Sequence, residues 1–141
     1  MPILLTRISH FCAAHACHRP GLSDLENHAL YGNEARLHGH NFRLEVTVRG
    51  PVDPRSGMVI HLAALDRLVR DEIVDVLDHR RLDTDIPFFA ERPATIENIL
   101  LFAWERLSAA LANCELHRLR LHQDDRTYYD YFGESAGGSR D

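Results

Sequence analysis

Two long stretches of this chain read as β-strands: an apolar one, and one in which apolar and polar side chains alternate with the period of two that marks a strand with one buried face. The first stretch covers residues 3–15, where Phe11, Ala13 and His15 share one side. The second covers 38–49, with His38, His40, Phe42, Leu44, Val46 and Val48 on one side and Asn41, Arg43, Glu45, Thr47 and Arg49 on the other. Between them, residues 18–36 are polar and carry Pro20, Gly21, Asn27, Gly32 and Asn33, which predicts a long loop. Residues 50–57 read as a turn, and Met58–Ile60 as a short extended piece. The period then changes. Leu62, Leu65, Leu68, Val69, Ile73, Val76 and Leu77 fall at helical spacing, and Asp78-His79 closes that helix. Residues 80–95 are connecting chain with Pro87 and Pro93. Thr95 is an N-cap, and Ile96, Ile99, Leu100, Ala103, Leu107 and Leu111 form the apolar face of a second helix. Two more strands follow, Leu116–Gln123 and the aromatic Thr127–Phe132, joined by a turn at Asp124-Asp125-Arg126.

The element order is β-β-α-α-β-β: an α+β domain over residues 1–133 with a mobile tail at 134–141. A four-stranded antiparallel sheet carrying two helices on one face leaves its other face and both edges uncovered. Pairing with another copy of the chain would close such edges.

The alternation also places chemistry. Histidines at i and i+2 on a strand point the same way, about 6–7 Å apart. His38 and His40 are therefore spaced to share one metal ion, and zinc commonly takes three protein ligands with a fourth position left open. His15 has the right parity to join them if the first two strands form a hairpin. With ten histidines in the chain, spacing alone also permits an accidental grouping.

Composition narrows the setting. A length of 141 residues and 45% hydrophobic content suit one domain with one core. The net charge of −5 offers no basic field for nucleic acid. No run of eighteen apolar residues suggests a membrane span, and the first residues read as a strand start, unlike a signal peptide. Three cysteines, Cys12, Cys17 and Cys114, lack framework spacing and fit a reducing cytoplasm.

Five segments in order resemble the 6-pyruvoyl-tetrahydropterin synthases and the related 6-carboxytetrahydropterin synthases of queuosine biosynthesis. They are Phe11 to His15, His38 to His40, Gly57 to Ile60, Leu77 to His79 followed by Leu82, and Pro93 to Asn98. The resemblance covers roughly residues 3–132. It implies the tunnelling fold (T-fold), in which three subunits close a barrel and two trimers stack, with active sites between subunits. It implies zinc on His15, His38 and His40, a pterin substrate of the 7,8-dihydroneopterin triphosphate type, and Asp78 and His79 as catalytic groups. Thr95 and Glu97 match family positions that line the substrate. A zinc-dependent lyase that is a homo-oligomer in the cytoplasm follows as the expectation.

Three positions depart from that pattern. Glu34 stands where the pyruvoyl- and carboxy-forming members carry a cysteine. Another branch of the family has glutamate there, and cleaves the side chain to 6-hydroxymethyl-dihydropterin for folate. Glu34 as general base therefore points to side-chain cleavage, with a 6-carboxytetrahydropterin synthase or a non-catalytic metal- or pterin-binding relative as alternatives. Cys17 is the nearest thiol to His15, and a small buried cysteine is its default reading. Gln123 stands where the family anchors the pterin with glutamate, and an amide offers one donor group and one acceptor in place of two acceptors. His61 replaces a common aspartate.

Overall fold

A computed structural model gives the structure, described here for residues 2–134; apart from Glu134, the predicted tail lies outside the described residues. Two long strands, β1 (Ile3–His15) and β2 (His38–Gly50), pair antiparallel along their whole length. Their register sets Phe11 opposite Phe42, Ala13 opposite His40 and His15 opposite His38. The parity read from each strand therefore falls on one common face. Strand β4 (Glu115–Asp124) pairs with β2, and β5 (Thr127–Tyr131) with β4, both antiparallel.

The sheet has five strands in the order β3-β1-β2-β4-β5. The fifth strand corrects the expected four. It is β3 (Arg80–Arg81), which runs parallel to β1 beside Ala13 and Ala14. Two residues carry no alternation to read, so this strand is dictated by where the preceding helix delivers the chain.

Helices α2 (Leu62–Val69) and α5 (Ile96–Ala110) cover one face of the sheet. Helix α2 runs on through a π-helical turn (Arg70–Val74) into a last α-turn, α3 (Asp75–Leu77). Arg106 of α5 serves that π-turn: its Nε donates to the Glu72 carbonyl at 2.8 Å and its Nη2 meets the Glu72 carboxylate at 2.9 Å. Phe42, Leu44, Val46, Leu65, Ile73, Leu77, Leu107 and Leu119 are fully buried between sheet and helices. Each such side chain contributes about 1.5–3 kcal/mol by leaving water. A one-turn helix α4 (Leu82–Asp85) follows β3.

The segment expected to be a loop holds a helix, α1 (Asp24–Tyr31), started by a reciprocal capping box between Ser23 and Glu26. Gly32, at φ 61°, ends it, and a 3₁₀ turn (Gly32–Ala35) carries Glu34. Among the described residues, no helix packs on the opposite face of the sheet. Its polar groups are tied to one another: Glu45 accepts from Arg118 Nη2 at 3.0 Å and His122 Nε2 at 2.7 Å, and Arg120 binds Asp130 through two hydrogen bonds.

Candidate metal centre

The β1–β2 register brings three imidazoles to one place. Ring centroids of His15, His38 and His40 lie 4.5, 5.2 and 4.9 Å apart, above the stacked pair Phe11 and Phe42. Two of the rings are held from behind. His15 Nδ1 donates to the Ala94 carbonyl at 2.5 Å, just before α5, and His38 Nδ1 donates to the Arg36 carbonyl at 2.6 Å. A carbonyl only accepts, so Nδ1 carries the proton and Nε2 is left with a lone pair. Outer partners of this kind orient metal-binding histidines.

The Nε2 atoms of His15, His38 and His40 are all buried and all lack a hydrogen-bond partner. Buried polar atoms without partners are costly and rare. Here three point at one spot, and one Glu34 carboxylate oxygen joins them: the four donor atoms lie within 4.8 Å of one another. Ligands about 2.0–2.1 Å from a tetrahedral zinc stand about 3.4 Å apart, so small side-chain rotations would close this set on an ion. The residues present fit zinc. Burial lowers the pKa of His15, although its bond to Ala94 opposes the shift. Burial also lowers that of His40, helped by His15 and His38. Both effects favour the neutral ring that a metal requires.

Glu34 reaches the cluster because its own backbone is fixed. The amide of Cys17, two residues past His15, donates to the Glu34 carbonyl at 2.7 Å. Cys17 itself is buried behind His15, with Sγ 3.6 Å from the Ala94 carbonyl. Burial, reinforced by Glu34 and Glu97, pushes its thiol up to about 12. It packs as a core residue.

Asp78 and His79 are adjacent to each other but outside the histidine group of the same chain. His79 Nδ1 is 2.9 Å from Asp78 Oδ2. The pair leaves α3 at the edge of β1, where Cys12 N–H donates to Asp78 Oδ1 at 2.8 Å and His79 N–H donates to the Cys12 carbonyl at 2.6 Å. The Cys12 amide, and then His79, hold the Asp78 carboxyl below the usual range. His79 has a left-handed backbone, φ 59°, which a non-glycine residue adopts under constraint. It lines an open groove of about 510 Å³ with Cys12, Gly39, His40, Asn41 and Arg80.

Thr95 caps α5, accepting from Asn98 N–H at 3.3 Å. Glu97 is exposed on the first turn of α5. Gln123 is half-buried at a bulge between the His122–Tyr128 and Asp124–Thr127 pairs, on the parity of Leu119 and Leu121. His61 is the N-cap of α2 and makes no side-chain capping bond.

Sequence reading missed Tyr129. It sits opposite Leu121 on the helix-covered face, where burial and then Glu97 and Glu34 raise the pKa of its phenol. Its parity with Tyr131 was the available signal.

Fold and site together define an α+β protein with a three-histidine, one-carboxylate group suited to a metal. The model of the 6-pyruvoyl tetrahydropterin synthase family matches residues 4–134, and the chain belongs to that family, whose enzymes are lyases. A 6-pyruvoyl tetrahydrobiopterin synthase from Poecilia reticulata is 40% identical over 132 residues, spanning 92% of this chain and 90% of its own. The Homo sapiens protein of that name is 39% identical over 130 residues, spanning 91% and 89%. The solved 6-pyruvoyl tetrahydropterin synthase of Caenorhabditis elegans superposes with a TM-score of 0.88 at 34% identity, over 95% of this chain and 97% of its own. The T-fold expectation holds, with the added strand β3. No helix among the described residues is long and apolar enough to cross a membrane.

Proposed function

We propose that this protein is a zinc-dependent lyase acting on 7,8-dihydroneopterin triphosphate or a close relative, and that it cleaves the side chain to leave 6-hydroxymethyl-dihydropterin. One observation carries the reading: a glutamate, and no thiol, completes the group formed by His15, His38 and His40. The buried, weakly acidic Cys17 weighs against the thiol-dependent products. The names of the animal relatives support a pterin as the substrate class.

Zinc held by the three histidines would supply Lewis acidity towards the hydroxyls of the substrate's side chain. Glu34 takes the proton from the hydroxyl on the second side-chain carbon. The bond between the first and second carbons then breaks, and the second carbon leaves as an aldehyde bearing the phosphates. The bonding pair passes into the pterin ring system, and the first carbon regains a proton from His79. Asp78 steadies the charged imidazole while it holds that proton. No oxidant or reductant is needed.

Since Asp78-His79 stands outside the histidine group of its own chain, a neighbouring subunit supplies the pair. The free edge of β5, and the part of β1 before Cys12 that the two-residue β3 leaves unpaired, suit a trimer, or a dimer of trimers, built by strand pairing. Gln123 faces the heterocycle, with Thr95 and Glu97 beside it. The test is mass-spectrometric identification of the products after incubation of the zinc-loaded protein with dihydroneopterin triphosphate. 6-Hydroxymethyl-dihydropterin and a two-carbon aldehyde phosphate are expected. A pyruvoyl or carboxy product, or no turnover, would overturn the proposal.

A further inference from the structure

His38 Nε2 and Glu34 Oε2 lie 3.0 Å apart, yet no hydrogen bond joins them. The proton of His38 is on Nδ1, committed to the Arg36 carbonyl. A lone pair and a carboxylate oxygen at that separation repel unless a cation lies between them. The geometry is not aligned for a proton shared along a hydrogen bond. His15 Nε2 and His40 Nε2, also without partners, border the same space. The Glu34 carboxylate is not drawn there by burial, since its side chain is 55% exposed. What places it is the 3₁₀ turn and the Cys17–Glu34 backbone bond, which anchor the loop to β1 immediately after His15.

We infer that Glu34 is the fourth protein ligand of the metal in the resting protein, and that it must let go before it can act as a base. The inference rests on the reading of this cluster as a metal centre, and adds a regulation to it. Three-ligand sites stay open for chemistry, whereas four-ligand sites are closed. Here one carboxylate would decide between the two states. A carboxylate engaged at a metal is not free to accept a proton, so productive substrate binding has to include its release. The loop allows this: the backbone of Glu34 is tied, but its exposed side chain has room to swing.

The experiment uses the full-length chain, stripped of metal and reloaded without substrate, so the outcome is independent of which reaction is catalysed. Glu34→Gln should still bind one ion per chain through the three histidines. Its zinc affinity in chelator competition should fall by at least the ~10–100-fold that losing even an outer-shell partner costs. Glu34→Cys, loaded with cobalt(II), should show a thiolate-to-cobalt charge-transfer band in the near ultraviolet, which a thiol merely near the ion does not give. Unchanged zinc affinity in Glu34→Gln together with no such band in Glu34→Cys would overturn the inference. The proposed reaction, judged by its products, would stand untouched.

Discussion

Gln123→Glu is the substitution that bears most directly on substrate choice. A pterin edge presents two donors, a ring N–H and an exocyclic amine. The amide of Gln123 can accept from one of them, but its own NH₂ then faces the other. A neutral hydrogen bond contributes about 1 kcal/mol net, and one to a charged group about 1.5–3 kcal/mol. Replacing one neutral bond and a donor–donor mismatch with two charge-assisted bonds is therefore worth about 2–5 kcal/mol. The setting subtracts from this. Asp124 is the next residue. One carboxylate about 8 Å away costs about 2 kcal/mol at an effective dielectric near 20. A net gain of up to about 3 kcal/mol should remain, or up to roughly 100-fold tighter binding. The assay is calorimetric titration of a non-reactive pterin into the zinc-loaded protein, with Gln123→Ala as the control that loses the remaining bond. If Gln123→Glu and Gln123→Ala both bind the pterin as the parent does, Gln123 does not contact the heterocycle.

Three further outcomes are expected. The His38→Ala/His40→Ala double variant should lose stoichiometric zinc, measured by elemental analysis after dialysis; full retention would refute the ligand assignment. The metal-free protein should lose stability as pH falls below about 6.5, because His15 and His40 stay neutral when folded while the unfolded chain takes up protons. Melting temperatures from neutral to about pH 5 should show this, with zinc moving the loss to lower pH, and a flat profile would contradict it. His79→Gly should leave stability within about 1 kcal/mol, since relief of the left-handed strain offsets the greater freedom of the unfolded chain. Its turnover should fall by ~10²–10⁴-fold, and an active variant would remove His79 from the chemistry.

Much of the fold was legible because β2 alternates along nearly its whole length, β1 shares its parity from Phe11 to His15, and α2 and α5 carry apolar stripes that match their buried faces. Helix α1 was not, because it has no stripe. Leu25 and Leu30 are exposed and only Asn27 is buried, so the helix is held by its capping box. Ser23-x-x-Glu26 spells that box, but with no apolar stripe behind it the segment's Pro20, Gly21, Gly32 and Asn33 read as loop. Histidine parity placed three donors together without a structure. That the Glu34 carboxylate would meet them depends on a backbone bond from Cys17, a contact between segments that no local pattern encodes. Tyr129 was hidden in the same way, since an aromatic strand reads as core until its neighbours on α5 are known.

The π-turn in the long helix has a consequence for which changes in chain length this protein tolerates. A π-turn carries one residue more than a regular helix would use over the same rise. Deleting a residue within Arg70–Val74 would restore a uniform α-helix and keep the facing of everything after it, because the residue removed is the surplus one. Leu77 would stay in the core, and the Asp78 carboxylate would stay on the Cys12 amide. The cost would fall on Arg106, whose bond to the Glu72 carbonyl depends on the π-turn. A one-residue deletion outside the π-turn would instead turn one part of the helix against the other by about 100°. The extra residue is slack: this one stretch can shorten while the chain is still handed to the edge of the sheet at the same angle.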